Sequence, residues 1–173
     1  MKAFAEWLSR SGPSVFIQSH EVWMIPALQS LHIVGIGLAV GSALMMTLRL
    51  LGWLDMDETL LQNQRRFGPW LGGALCLLLV SGSLLVIGEP VRELVTFSFW
   101  LKMAFVAALT GMAVAFHVSV KHDEGEWERD LMKRRSVRWT AWVTFVMWAC
   151  IIILGRLIAY DHIWGHLSPA TKA

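Results

Sequence analysis

Four ionisable side chains of this 173-residue chain fall inside otherwise apolar runs: His32, Lys102, His117 and Arg156. An imidazole in such a setting can ligate a metal or carry a proton. A buried cation can hold a carboxylate. Ionisable groups in membrane-spanning segments are expensive and mark function by default. Arg156 is the costliest, standing in CIIILGRLIAY, where insertion scales charge about 2.5–3.5 kcal/mol for an arginine. It calls for an anionic partner, a water-filled cavity or a route along its own stem to the surface. Glu89 is the acidic partner that depth suggests, and a ligand carboxylate is the other.

Helical rise sets these groups in levels. Arg49, Arg66, Lys121 and Arg138 close the inner ends of the runs and serve as a common floor. His32 lies 17 residues above Arg49, or roughly 25 Å at 1.5 Å per residue. The same climb reaches Ser83 from Arg66, Gly155 and Arg156 from Arg138, and Ala104, within a turn of Lys102, from Lys121. His32, Ser83, Lys102 and Arg156 therefore share an outer level. His117 sits one turn from Lys121, roughly 19 Å deeper by the same rise, and cannot easily share an iron with His32. It reads either as an inner ligand, with Ala113 and Thr110 giving space on its face, or as an interfacial histidine. On the face of His32, Gly35, Ala39, Ala43 and Met46 form a stripe of mostly small residues, with a GxxxG at Gly37 and Gly41 beside it. Such stripes let helices approach closely, or they make room for a flat cofactor. A third group, His20, His162 and His166, lies outside the apolar runs. His162 and His166 are spaced to share a helical face and chelate a metal. Gly165 and Pro169 weaken the helix there, and interfacial solvation is the alternative.

The elements that must position these residues are membrane spans. Hydrophobic residues make up 55% of the chain and charged residues 16%, against about 25% charged in soluble domains. About 20 apolar residues cross a bilayer, and four runs qualify: about 22–51, 70–87, 97–120 and 139–160. The expected fold is all-α, a single transmembrane four-helix bundle. The segment DMDETLLQNQRRFGP between the first two spans has room for a short surface helix. At the N-terminus no continuous apolar h-region appears. Phe4, Trp7 and Leu8, with Lys2, Glu6 and Arg10 between them, predict a short amphipathic helix lying in the interface. Trp and Tyr mark many span ends, as an aromatic belt does. The loops after spans one and three hold nine Lys and Arg, and the opposite side five. That bias predicts a bacterial inner-membrane protein with both termini periplasmic. Cys76 and Cys150 lie in apolar runs without metal spacing. A net charge of +2 gives no case for nucleic acid, and no phosphate loop or nucleophile elbow is present.

The runs LHIVGIGLAVGSALMMTLRLLG (Leu31 to Gly52), PWLGGALCLLLVSGSLL and FWLKMAFVAALTGMAVAFH (Phe99 to His117) resemble an uncharacterised family of small bacterial inner-membrane proteins. More distantly they resemble cytochrome b-like and copper-resistance D-like membrane domains. The three runs together hold 58 of the 173 residues. The resemblance implies a four-helix bundle with His32 and His117 as ligand candidates. The chain departs from the cytochrome pattern in having no histidine in span two and no bis-histidine pair at one depth.

The expected function is a haem b-binding electron-transfer subunit linking a periplasmic partner and quinone. His32 or His117 would supply the iron ligand, and Arg156 and Lys102 would meet haem propionates or a quinone head. Two alternatives stand beside it. One is a non-catalytic membrane subunit or assembly partner of a larger complex. The other is a metal or small-solute permease subunit using His20, His162 and His166 with Met45 and Met46.

Overall fold

The computed structural model describes residues 2–53, 57, 59–122 and 135–158. Among them all regular structure is helical: α1 (Lys2–Ser9), α2 (Gly12–Ser19), α3 (Glu21–Leu50), α4 (Leu60–Gly88), α5 (Pro90–Leu94), α6 (Phe97–His122) and α7 (Arg135–Ile158). Four of these helices, α3, α4, α6 and α7, are long and apolar enough to cross a membrane. At 30 residues, α3 is about 45 Å long by the helical rise, against a hydrocarbon core of about 30 Å.

The chain runs up and down through these four helices. The most extensive contact is α3 against α4; α6 pairs with α7, α3 also lies along α7, and α4 touches α6 only locally. Outward faces remain apolar and exposed, as at Leu79, Val80, Val114, Val118, Ile152 and Ile153. Lipid, not water, solvates such faces, and small residues then take the helix contacts.

The α3–α4 seam shows this directly. A Cβ on Gly35 would stand 3.0 Å from Leu78 Cδ2 and 3.5 Å from Leu77 Cδ2. Ala39 and Ala43 continue the stripe and are buried. The small residues below His32 therefore serve close helix packing, and α4 leucines fill the space. Gly37 and Gly41, the GxxxG pair, face the other way, with no atom within 4 Å of either Cβ position.

The start of α4 differs from expectation. The sequence suggested a separate surface helix followed by a span from about residue 70; instead one helix runs unbroken from Leu60 through Pro69 to Gly88. A capping box explains its early start. Thr59 Oγ1 accepts from the Gln62 N–H at 3.2 Å, and Gln62 Oε1 accepts from the Thr59 N–H at 2.8 Å. These bonds satisfy donors that a helix otherwise leaves open.

The N-terminal region forms two helices. Gly12 and Pro13 do not simply interrupt the chain: they open α2, with proline in its first turn, where its missing N–H costs nothing. As the sequence predicts, α1 is amphipathic, but its apolar residues divide. Ala5 and Leu8 pack on Leu94, Val95, Val86 and Phe99, while Phe4 and Trp7 stay exposed and stack at 5.8 Å. Gln18 Nε2 donates to the Gly88 carbonyl at 3.3 Å, fastening α2 to the end of α4. Together α1, α2 and α5 cap one end of the bundle.

Two glycines on α3 test this packing. Gly35→Leu, which forces a side chain into the seam, should cost about 1–3 kcal/mol and lower the thermal midpoint of the purified protein. Gly37→Leu, which enters open space, should leave the midpoint nearly unchanged. The reverse order would place the α3–α4 contact elsewhere.

Candidate functional site

The spans bring three of the sequence-selected positions, His32, Lys102 and Gly155, together in a polar layer below the capped end. On α3, His32 Nδ1 lies 2.8 Å from Ser81 Oγ of α4. Ser81 is fully buried and its hydroxyl donates to the Leu77 carbonyl at 2.7 Å. Where the hydroxyl gives its proton to Leu77, the ring nitrogen is the donor to Ser81. That arrangement puts the His32 proton on Nδ1 and leaves the lone pair on Nε2. The ring is held against Gly82, where a Cβ would stand 3.3 Å from His32 Cε1. Depth counting along the sequence pointed to Ser83; the tertiary partner is Ser81, half a turn away, and Ser83 is exposed.

Lys102 of α6 lies within electrostatic reach of His32. Its ammonium sits beside α7 at Gly155, where a Cβ would stand 3.6 Å from Nζ. Glycine leaves room there for the half-buried lysine. His32, Ser81, Lys102 and Gly155 thus come from the four spans in turn, as the level count from the inner ends anticipates for α3, α6 and α7.

Glu93 of α5 is the residue that sequence reasoning missed. It interacts electrostatically with Lys102. Burial pushes its carboxyl above the usual carboxylate range, and Lys102 and Arg92 partly pull it back. The signal was faint, because Glu93 belongs to a five-residue helix that the hydropathy pattern does not separate from its surroundings.

The remaining positions lie elsewhere. Arg156 is exposed and half-buried Glu89, its suggested partner, forks onto Arg92 Nη1 at 2.9 and 2.8 Å. His117 is exposed and stands 15 residues beyond Lys102 on the continuous α6, about 22 Å along its axis. His20 is exposed at the α2–α3 junction, with Nδ1 3.0 Å from both Ser19 Oγ and the Phe16 carbonyl. Its ring lies 4.9 Å from that of Phe16 and 6.1 Å from that of Trp23. His162 and His166 fall outside the described residues. Among the described residues no three His, Cys, Asp or Glu side chains converge as a metal site.

Chemically, the layer offers one imidazole held at Nδ1, one cation beside it and a carboxyl toward the capped end. That set can ligate a single metal centre through Nε2 or accept a proton there, and it can hold an anionic substituent at Lys102.

Comparison with family models, with curated proteins and with solved structures returns no match, so the layer is tested on its own chemistry. Nitrogen NMR of histidine-labelled protein should show His32 with a protonated Nδ1 and an unprotonated Nε2. Ser81→Ala should remove the acceptor and give a mixture of tautomers. A wild-type proton on Nε2 would reverse the assignment.

Proposed function

We propose that this chain is a haem b-binding membrane subunit for electron transfer, in which His32 Nε2 would hold the iron. The observation that supports it most is the His32–Ser81–Leu77 hydrogen-bond chain. A ligating histidine almost always donates its other ring N–H to a fixed acceptor, which sets its tautomer and raises its basicity. Here that acceptor is built into the neighbouring span.

The residues fit the group in three respects. Imidazole is a common axial ligand of haem iron. Lys102 supplies a cation for a propionate, and Arg156 shares its end of α7. The interior of a four-helix membrane bundle is a recurrent place for such a cofactor. Bound haem would supply one-electron redox chemistry at this level. The chain's own residues would orient the ligating imidazole and hold negative substituents. The closed seam beneath His32 contributes rigidity rather than cofactor space. His117 belongs to another depth and is not the opposing ligand at this level.

The Lys and Arg bias supports an orientation with the capped end and both termini at the periplasmic face of a bacterial inner membrane. A periplasmic partner and quinone are the electron donor and acceptor that this placement suggests.

A second reading is a non-catalytic subunit of a larger membrane complex. The open GxxxG face of α3 favours it, since Gly37 and Gly41 meet nothing within 4 Å while small-xxx-small faces commonly carry helix contacts.

Reduced-minus-oxidised absorption spectra of protein made with ample haem separate these readings. The wild type should show a b-type spectrum. His32→Ala should abolish it, His117→Ala should retain it, and Ser81→Ala should weaken haem retention by about 10–100-fold, as loss of a supporting hydrogen bond does at other metal sites. Absence of haem from the wild type, with stable co-purification of a partner, would favour the second reading.

A further inference from the structure

Two opposite charges are left open where the cap meets the bundle. Lys102 and Glu93 are both half-buried, and each acts on the other electrostatically. Among the described residues, however, neither side chain makes a hydrogen bond or an ion pair. The next acid and cation behave differently: Glu89 closes onto Arg92 at 2.9 and 2.8 Å. The spacing of Lys102 and Glu93 is held by the backbone. Thr96 Oγ1 donates to the Glu93 carbonyl at 3.1 Å, and Trp100 Nε1 donates to the Leu94 carbonyl at 3.0 Å, which fixes the turn from α5 into α6. On the other side Gly155 lets the ammonium lie against α7, since a Cβ there would stand 3.6 Å from Nζ.

The surroundings carry little other charge. Lys102, Arg92 and Glu89 are the groups that act on Glu93. The α1 helix meets α5 through Ala5 and Leu8, and its Lys2, Glu6 and Arg10 are exposed. Val86 is the contribution of α4, Gly155 that of α7, and Arg156 beside it is exposed. Burial pushes the Glu93 carboxyl above the usual carboxylate range, so it takes up a proton more readily than a surface acid. Below this level the bundle opens sideways. Val86, Gly82 and Leu79 form one stripe of α4. Val86 packs on the Leu94–Val95 cluster, as Phe99 of α6 does, Gly82 lies against His32, and Leu79 is 70% exposed. Because α4 and α6 touch only locally, an apolar body in the bilayer can lie along the stripe.

We infer that Lys102 and Glu93 together bind the carboxylate of an apolar acid, and that one proton enters with it. One ligand oxygen accepts from the Lys102 ammonium, a charge-assisted bond of the strong kind. The other accepts from the Glu93 carboxyl, which carries the proton in the complex. No covalent bond changes: the proton comes from solution at the capped end and stays between the two carboxyl groups, which resist ionising together in one site. A neutral head would leave the ammonium without a counter-charge. Long-chain fatty acids and the propionates of haem both have this chemistry. The inference shares Lys102 with the haem reading but needs no iron.

Native mass spectrometry of the haem-free full chain in detergent tests it with hexadecanesulfonate, whose charge is fixed, with palmitate and with hexadecanol. The wild type should bind the sulfonate, with affinity rising about tenfold per unit as pH falls through the range where Glu93 is ionised, the slope of a one-proton linkage. Palmitate should compete and hexadecanol should not. Glu93→Gln, which keeps a donor without the charge, should bind well at every pH and lose the pH dependence. Lys102→Met should weaken binding about tenfold or more, as removal of bonds to a charged group does. Lys121→Gln, an exposed charge at the far end of α6, should change nothing. Competition by haem but not by its dimethyl ester would support the site and add the propionates as a source; competition by palmitate alone would support it and assign the fatty acid. Binding by the wild type that ignores pH, or a pH dependence retained in Glu93→Gln, would overturn the inference. So would wild-type affinity in Lys102→Met. Proton-linked binding in a protein that shows no b-type spectrum would sink the haem reading alone, and a b-type spectrum without proton-linked binding would sink this inference alone.

Discussion

The close approach of α3 and α4 is the contact on which the rest of the structure depends. In lipid, apolar side chains gain little by leaving their surroundings, so helix association relies on packing and on polar contacts. Gly35, Ala39 and Ala43 let α4 lie directly on α3, and Leu77 and Leu78 complete the fit. That closeness allows His32 to reach Ser81. It also fixes the antiparallel register that carries Arg49 to the level of Gln64. A looser seam would leave the His32 layer without its geometry.

Polar groups are distributed along this seam with a consistent logic. The middle is apolar and small. The layer nearer the capped end contains an imidazole hydrogen-bonded to a buried serine. The other end buries the Arg49 guanidinium and the side chains of Asn63 and Gln64, whose amide atoms Asn63 Nδ2, Gln64 Nε2 and Gln64 Oε1 have no hydrogen-bond partner. The two ends differ in chemistry: one sets an imidazole on a buried hydroxyl, the other encloses a guanidinium and side-chain amides. About 25 Å of helix separates them.

The capped end adds a constraint that a bare bundle lacks. The α1 helix sets Ala5 and Leu8 on α5 and its neighbours, while Phe4 and Trp7 point away from that contact. With Gln18 bonded to Gly88, this cap covers the ends of α3, α4 and α6. Glu93 sits within it, close enough to Lys102 for the two charges to interact. The polar layer thereby has a carboxyl of the cap within electrostatic reach of its cation.

Much of this was legible in the sequence. Four apolar runs of spanning length determine an all-α membrane fold, because a bilayer admits few other ways to satisfy the backbone. Uniform helical rise also put His32, Lys102 and Gly155 at one level before any coordinates. Rotation about each helix axis and tertiary neighbours were not legible. The stripe below His32 suited a cofactor as well as a helix, until Leu77 and Leu78 filled it. Glu89 suited Arg156 by depth, but the turn into α5 set it against Arg92. Ser83 gave way to Ser81 because a shift of two residues along a helix turns a side chain through more than half a revolution. Arg49 and Gln64 looked like surface charge and loop because hydropathy reports composition along a segment. Which face of that segment is enclosed depends on the helix packed against it, and only the folded bundle decides that.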